Sequence, residues 1–142
     1  MITHFWVVDT NVVVAGILTG DFASPPAQIL ERMLSGELRF VLSVELLGEY
    51  RRVLLRPHIR SRHGLSEKEI DSVLEALTIN GAIVDIQGRE ETAPDPGDNH
   101  LWRLLAARVG SGLITGDALL VRKPPPRSRV LSPAEWLEEI AK

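Results

Sequence analysis

Two aspartates stand directly after apolar runs, Asp9 after WVV and Asp117 after LITG. Asp98 opens an amphipathic run after a third such stretch, and Glu45 and Glu49 share a helical face in the segment after a fourth. In a parallel α/β sheet, residues just beyond the strand C-termini stand on the edge where ligands bind. Four elements therefore send acid to one rim. Two unit charges about 5 Å apart repel by about 3 kcal/mol at an effective dielectric of roughly 20, so such a gathering calls for cations or bound protons. The chain has no cysteine and no histidine at the C-terminal end of a strand. Oxygen donors alone favour Mg²⁺ or Mn²⁺ over Zn²⁺, and these ions commonly act on phosphate esters. Asn11 and Thr115 are of a kind to orient the acids or bind a water.

Each acid also has a local explanation. Asp9 and Asp98 suit helix N-caps, Asp117 suits a turn, Glu45 suits a helix N-terminus, and Glu49 has Arg52 three residues on. From Arg51 to His63 the chain carries Arg51, Arg52, Arg56, His58, Arg60, Arg62 and His63 without an acid, and a second run holds Arg122, Lys123, Arg127 and Arg129. Such runs are either solvated surface or a grip on phosphates beside the acidic rim. The histidines His4, His58, His63 and His100 show no ligand spacing and read as ordinary core or surface residues. Trp102 and Trp136 fall on apolar helix faces, so no row of base-stacking aromatics is visible.

The elements that would position these residues alternate between strand and helix. His4–Asp9 reads as a buried strand, and residues 11–18 as a short buried helix or turn. Ser24 and Pro25 open a helix running to about Leu34, which Gly36 ends; Leu38–Leu42 is a second strand. Ser43 caps a helix through Leu55 that Pro57 terminates. Ser66 and Glu69 form a capping box for a helix with Ile70, Val73, Leu74 and Leu77 inward, broken at Asn80-Gly81. Ala82–Ile86 is a third strand, followed by the polar loop QGREETAPDPG and a helix from Asp98 whose apolar face is Leu101, Trp102, Leu105 and Val109. Leu113–Thr115 and Val130-Leu131 are the last strands, and Ser132, Pro133 and Glu135 open a final helix. Strands that are apolar throughout, alternating with helices, predict a three-layer α/β/α sandwich around a mainly parallel sheet of about five strands.

The chain has 142 residues, 44% apolar and 25% charged, which suits one domain over 1–142 with a continuous core. No apolar run approaches the roughly 18 residues of a membrane span. The N-terminal MITHFWVVDTN lacks a basic region ahead of an apolar stretch, so no secretory leader is expected. Without cysteine there is no disulfide and no thiol nucleophile, and a cytoplasmic location fits. The net charge of −3 conceals a segregation of acid from base that matters more than the sum.

VVDTNVVVAGIL, SPPAQIL, LSVELLGEYRRVLLRP, DPGDNHLWRLLAA, LITGDALL and VLSPAEWL, in that order, together resemble a PIN-domain protein of the bacterial toxin–antitoxin type. The resemblance covers nearly the whole chain. It implies an Mg²⁺- or Mn²⁺-dependent ribonuclease on single-stranded RNA, a homodimer, and inhibition by a cognate antitoxin protein. Position by position, the family's acidic set falls on Asp9, Glu49, Asp98 and Asp117, with Asn11 and Thr115 in support and Asp95 as an accessory acid. On this reading Asp9, Asp98 and Asp117 hold metal, Glu49 holds metal or orients the attacking water, and Arg51, Arg52 and Arg56 grip RNA. Many relatives carry a second Asp two residues after TGD, where this chain has Leu119, which implies a weakened second metal position. The alternative is a PIN-like module that binds RNA or an antitoxin with little catalysis. A further reading makes Asp9 the nucleophile of a haloacid-dehalogenase type of phosphatase, but the second Asp such enzymes carry two residues on is here Asn11.

Overall fold

The computed structural model describes residues 3–142; Met1 and Ile2, which begin the segment read as lacking a leader, lie outside the described residues. Strand β1 (Trp6–Val8) pairs in parallel with β4 (Gly112–Ile114), and β4 pairs in parallel with β5 (Val130–Leu131). A second parallel ribbon joins β2 (Val41–Leu42) to β3 (Ala82–Ile83). A parallel bridge from Trp6 to Phe40, with the Trp6 N–H donating to the Arg39 carbonyl at 3.0 Å, unites the two ribbons. The order is therefore β3-β2-β1-β4-β5, all parallel. Consecutive residues of β1, β2 and β4 are all buried, as they must be when helices cover both faces. The expected three-layer sandwich with about five strands is what the chain forms.

Three strands are shorter than the sequence suggests: β1 spans Trp6–Val8 of the expected His4–Asp9, and β2 and β3 are cut back too. Leu38 spends its N–H on the Arg32 carbonyl in the turn after a helix, so pairing waits until Phe40. Val84 gives a last bond to the Leu42 carbonyl, after which the Asp85 side chain takes the Gln87 N–H and turns the chain away from the sheet.

Helix α1 (Thr10–Leu18) follows β1 at once, and α2 (Pro25–Ser35) ends at Gly36, whose φ of 82° is a left-handed conformation that glycine adopts without penalty. The Ser43 hydroxyl caps α3 (Val44–Leu54) through the Leu46 N–H at 3.0 Å. Pro57 does end that helix, but it also starts another, α4 (Pro57–His63), a correction to the reading of Pro57 as a stop alone. The residue before a proline is held extended, as Arg56 is, and proline suits the first helical position, so one residue serves both ends. The anticipated capping boxes close at Ser66–Glu69 for α5 (Glu67–Asn80) and at Ser132–Glu135 for α8 (Pro133–Ile140).

Between them lie α6 (Asn99–Ala107), entered through a 3₁₀ turn at Pro96–Asp98, and the short α7 (Ala118–Arg122), a helix that the sequence pattern does not predict. Val109 is not on the apolar face of α6: the helix stops at Ala107 and Val109 is 86% exposed.

A single apolar cluster runs from Trp6 to Trp136. Tyr50, fully buried on α3, donates its hydroxyl to the Val8 carbonyl and so ties that helix to the end of β1. Helices α1 and α2 cross at Gly16, where a Cβ would stand 2.8 Å from the Pro26 carbonyl oxygen. Among the described residues no helix is long and apolar enough to cross a membrane. Connections leave β1 toward β2 on one side, while β4 lies on the other. The resulting crevice at the C-terminal ends of β1 and β4 is the place where such sheets take ligands.

Candidate functional site

Asp9 is the residue at that crevice. Its N–H continues the β1–β4 ladder by donating to the Ile114 carbonyl at 2.9 Å. Its side chain, 6% exposed, caps α1 by accepting from the Thr10 N–H at 2.8 Å. The other carboxylate oxygen accepts from the Thr115 hydroxyl at 2.8 Å and from Asn11 Nδ2 at 3.2 Å. Asn11 Oδ1 in turn takes the Gly116 N–H at 2.9 Å, and Thr115 Oγ1 takes the Asp117 N–H at 3.0 Å. Asn11 and Thr115 thus lock together the loops that leave β1 and β4. Asp117 caps α7 through the Leu119 N–H at 2.9 Å. Capping therefore accounts for part of what Asp9 and Asp117 do.

It does not account for Asp98. That residue sits at the N-terminus of α6, yet its side chain accepts no capping bond. Asn99 bonds the Ala93 N–H at 2.8 Å, and Asp95 turns inward on the Gly97 N–H at 2.9 Å. Burial first, and then the charges of Asp9, Asp95, Glu49 and Asp117, push the Asp98 carboxyl up to about 6. Burial also raises Asp9, against the pull of its bonds from Thr115 and Thr10.

Glu49 is held differently. The Thr10 hydroxyl donates to one oxygen; His100 Nε2 lies 2.9 Å from the other, and Arg52 stands 3.7 Å from it. The His100 bond, with Thr10 and Arg52 adding to it, holds Glu49 below the usual carboxylate range despite partial burial. Glu45 points elsewhere: it is exposed and outside the cavity.

Asp9, Glu49, Asp95, Asp98 and Asp117 all line one open cavity of about 750 Å³. Asn11 lines it too, while Thr115 stays buried beneath. From α1 come Asn11, Val14, Ala15 and Leu18, and from α3 and its end Glu49, Arg52, Val53 and Arg56. Both sets follow the i, i+3, i+4, i+7 spacing of one helix face. Arg62 of α4 joins Arg52 and Arg56 in lining the cavity, so arginines and acids share it.

Arg51 does not belong to that set, contrary to its place among the expected RNA contacts. It lies off the lining face of α3, and its guanidinium pairs with Asp71 at 2.8 Å and with Glu67, both on α5. The second basic run lies away from the cavity, with Arg129 paired to Glu139. Thr10, His100 and Arg62 join the site although the sequence pattern assigns them no place in it. Thr10 sits inside DTN, where the motif could have drawn it in; the His100–Glu49 contact joins residues 51 apart, and no local pattern announces it.

Among the described residues no three of the His, Cys, Asp and Glu side chains converge at ligating spacing. The donor set nonetheless fits a hard divalent cation: it is all oxygen, and Asp98 is uncapped, with a proton affinity raised by burial and then by the acids around it.

The chain belongs to the PIN domain family, whose model matches residues 6–119, a span that contains every acid of the cavity. PIN domains are generally metal-dependent nucleases, and the nuclease members typically use divalent metals. Comparison with curated proteins yields no match.

Proposed function

We propose that this chain is a metal-dependent endoribonuclease that cuts single-stranded RNA, formed as one nuclease domain over residues 1–142. The observation that carries the reading is the cavity itself, which Asp9, Glu49, Asp98 and Asp117 from four elements line together with Arg52, Arg56 and Arg62. Asp9, Asp98 and Asp117 are the oxygen donors for Mg²⁺ or Mn²⁺. When bound, the cation supplies positive charge at the phosphodiester being cut. Arg52, Arg56 and Arg62 hold flanking phosphates, which guanidinium groups grip through paired N–H donors. Val14, Ala15, Leu18 and Val53 offer an apolar floor for a base or ribose face, which suits a strand with unpaired bases. Glu49, kept ionised, orients the attacking water, while Asn11 and Thr115 keep Asp9 in place and Asp95 adds negative charge.

The resemblance to bacterial toxins supports a finer reading: a toxin acting in the cytoplasm as a homodimer, inhibited by a cognate antitoxin protein. Leu119, standing where relatives carry an acid, supports a second reading, an RNA- or antitoxin-binding module with little catalysis. One assay separates them. Purified protein is incubated with single-stranded RNA in Mg²⁺, Mn²⁺ or chelator, with Asp9→Asn alongside. Cleavage that needs metal and is lost in the variant supports the nuclease; binding without cleavage supports the module.

A further inference from the structure

We propose that His100 is a positioning residue for this reaction, its Nε2–H fixing the Glu49 carboxylate in the cavity. The inference rests on the nuclease reading given above. His100 lies in the first turn of α6, two residues after Asp98, and its side chain is 13% exposed. A carboxylate can only accept, so the 2.9 Å contact with Glu49 Oε2 requires the proton on Nε2. In the neutral ring Nδ1 is then an acceptor, and it is buried without a protein partner. An unused lone pair is a lesser loss there than an unused N–H, which favours the Nε2–H form.

A glutamate side chain has three rotatable bonds, and on the face of α3 its carboxylate would sweep the cavity. Two donors from different elements remove that freedom. Thr10, next to Asp9 in the chain, takes one oxygen; His100, next but one to Asp98, takes the other. The placement of Glu49 is thereby coupled to the segments that carry the two other acids. Arg52, at 3.7 Å and largely exposed, adds a weaker and more mobile restraint.

The test begins with the parent protein, whose metal-dependent cleavage of single-stranded RNA checks the nuclease reading on its own. Given cleavage, His100→Ala lowers kcat roughly 10–100-fold, as loss of a group that orients a site carboxylate or ligand does, with KM unchanged. His100→Gln, whose amide nitrogen reaches about as far as Nε2, restores most of the rate, whereas the shorter His100→Asn does not. Equal rates for His100→Ala and the parent overturn the proposal, as does a loss that glutamine fails to rescue. A second measurement uses no activity. Imidazole ¹⁵N NMR of the metal-free parent is expected to show a proton on Nε2, with the Nε2 signal moving in Glu49→Gln. A bare Nε2, or an unmoved signal, overturns the proposal even where the alanine variant fails to fold or the parent does not cleave.

Discussion

Asp98 carries the least compensated charge in the cavity. The folded protein holds its proton more tightly than an unfolded chain would, because burial and four neighbouring acids resist ionisation. The stabilisation from that proton is complete below the ordinary value of 3.8 and is lost as pH rises through about 6. In metal-free protein, Asp98→Asn should therefore flatten the fall in melting temperature between those two values and raise it at pH 8; thermal scans across pH read both. A variant that melts lower at pH 8 would mean that the carboxylate is stabilised by contacts rather than strained by its neighbours. Leu119 is the other informative position. It is 38% exposed, in the first turn of α7, where a carboxylate is welcome to the helix dipole. Leu119→Asp should fold with stability within about 0.5 kcal/mol of the parent and bind Mn²⁺ more tightly by calorimetry. Unchanged affinity would mean that Leu119 does not stand at the position of the acid that the resemblance implies.

At the level of elements, α3 presents opposite faces to different tasks. Glu49, Arg52, Val53 and Arg56 line the cavity, while Arg51 is engaged by Asp71 and Glu67 of α5. Replacing Arg52, Arg56 and Arg62 by Ala in an Asp9→Asn background should weaken binding of all single strands alike, and reduce the salt slope by about 0.7 for each phosphate that is no longer neutralised. Arg51→Ala in the same background should leave both unchanged. Filter binding at several salt concentrations distinguishes the two sets. The helical spacing that separates Arg51 from Arg52 was present in the sequence; the acid-free run hid it, because a run draws attention to composition instead of to faces. Helix α4 escaped for a related reason, since Pro57 is both a stop and a start. The caps at Ser43, Ser66 and Ser132 were legible because each is set by residues within three positions of one another.

For the molecule as a whole, what was legible is the alternation of strand and helix and the rim to which it sends the acids. The strand order was not, because parallel pairing of β1 with β4 joins residues more than a hundred apart and no local signal encodes it. The same holds for the ties of Glu49 to Thr10 and His100. A cation bound by the folded state alone stabilises the entire domain, by about 2.7 kcal/mol at a hundredfold excess over its Kd. Mn²⁺ should thus raise the melting temperature of this chain by several degrees at pH 8, and by less at pH 5, where Asp98 keeps its proton. Calorimetric scans with and without chelator test this, and an equal shift at both pH values would remove Asp98 from the ligands.

The bond from Thr115 to Asp9 spans 106 residues. During synthesis, then, an emerging chain exposes Asp9 and Glu49 long before the hydroxyl and the strand that fix the first of them exist. Pairing across so long a loop comes late, since its closure entropy is met only when β4 can dock. Whatever chemistry the cavity performs is withheld from the nascent chain until β4 and Thr115 have left the ribosome, a timing set by topology alone.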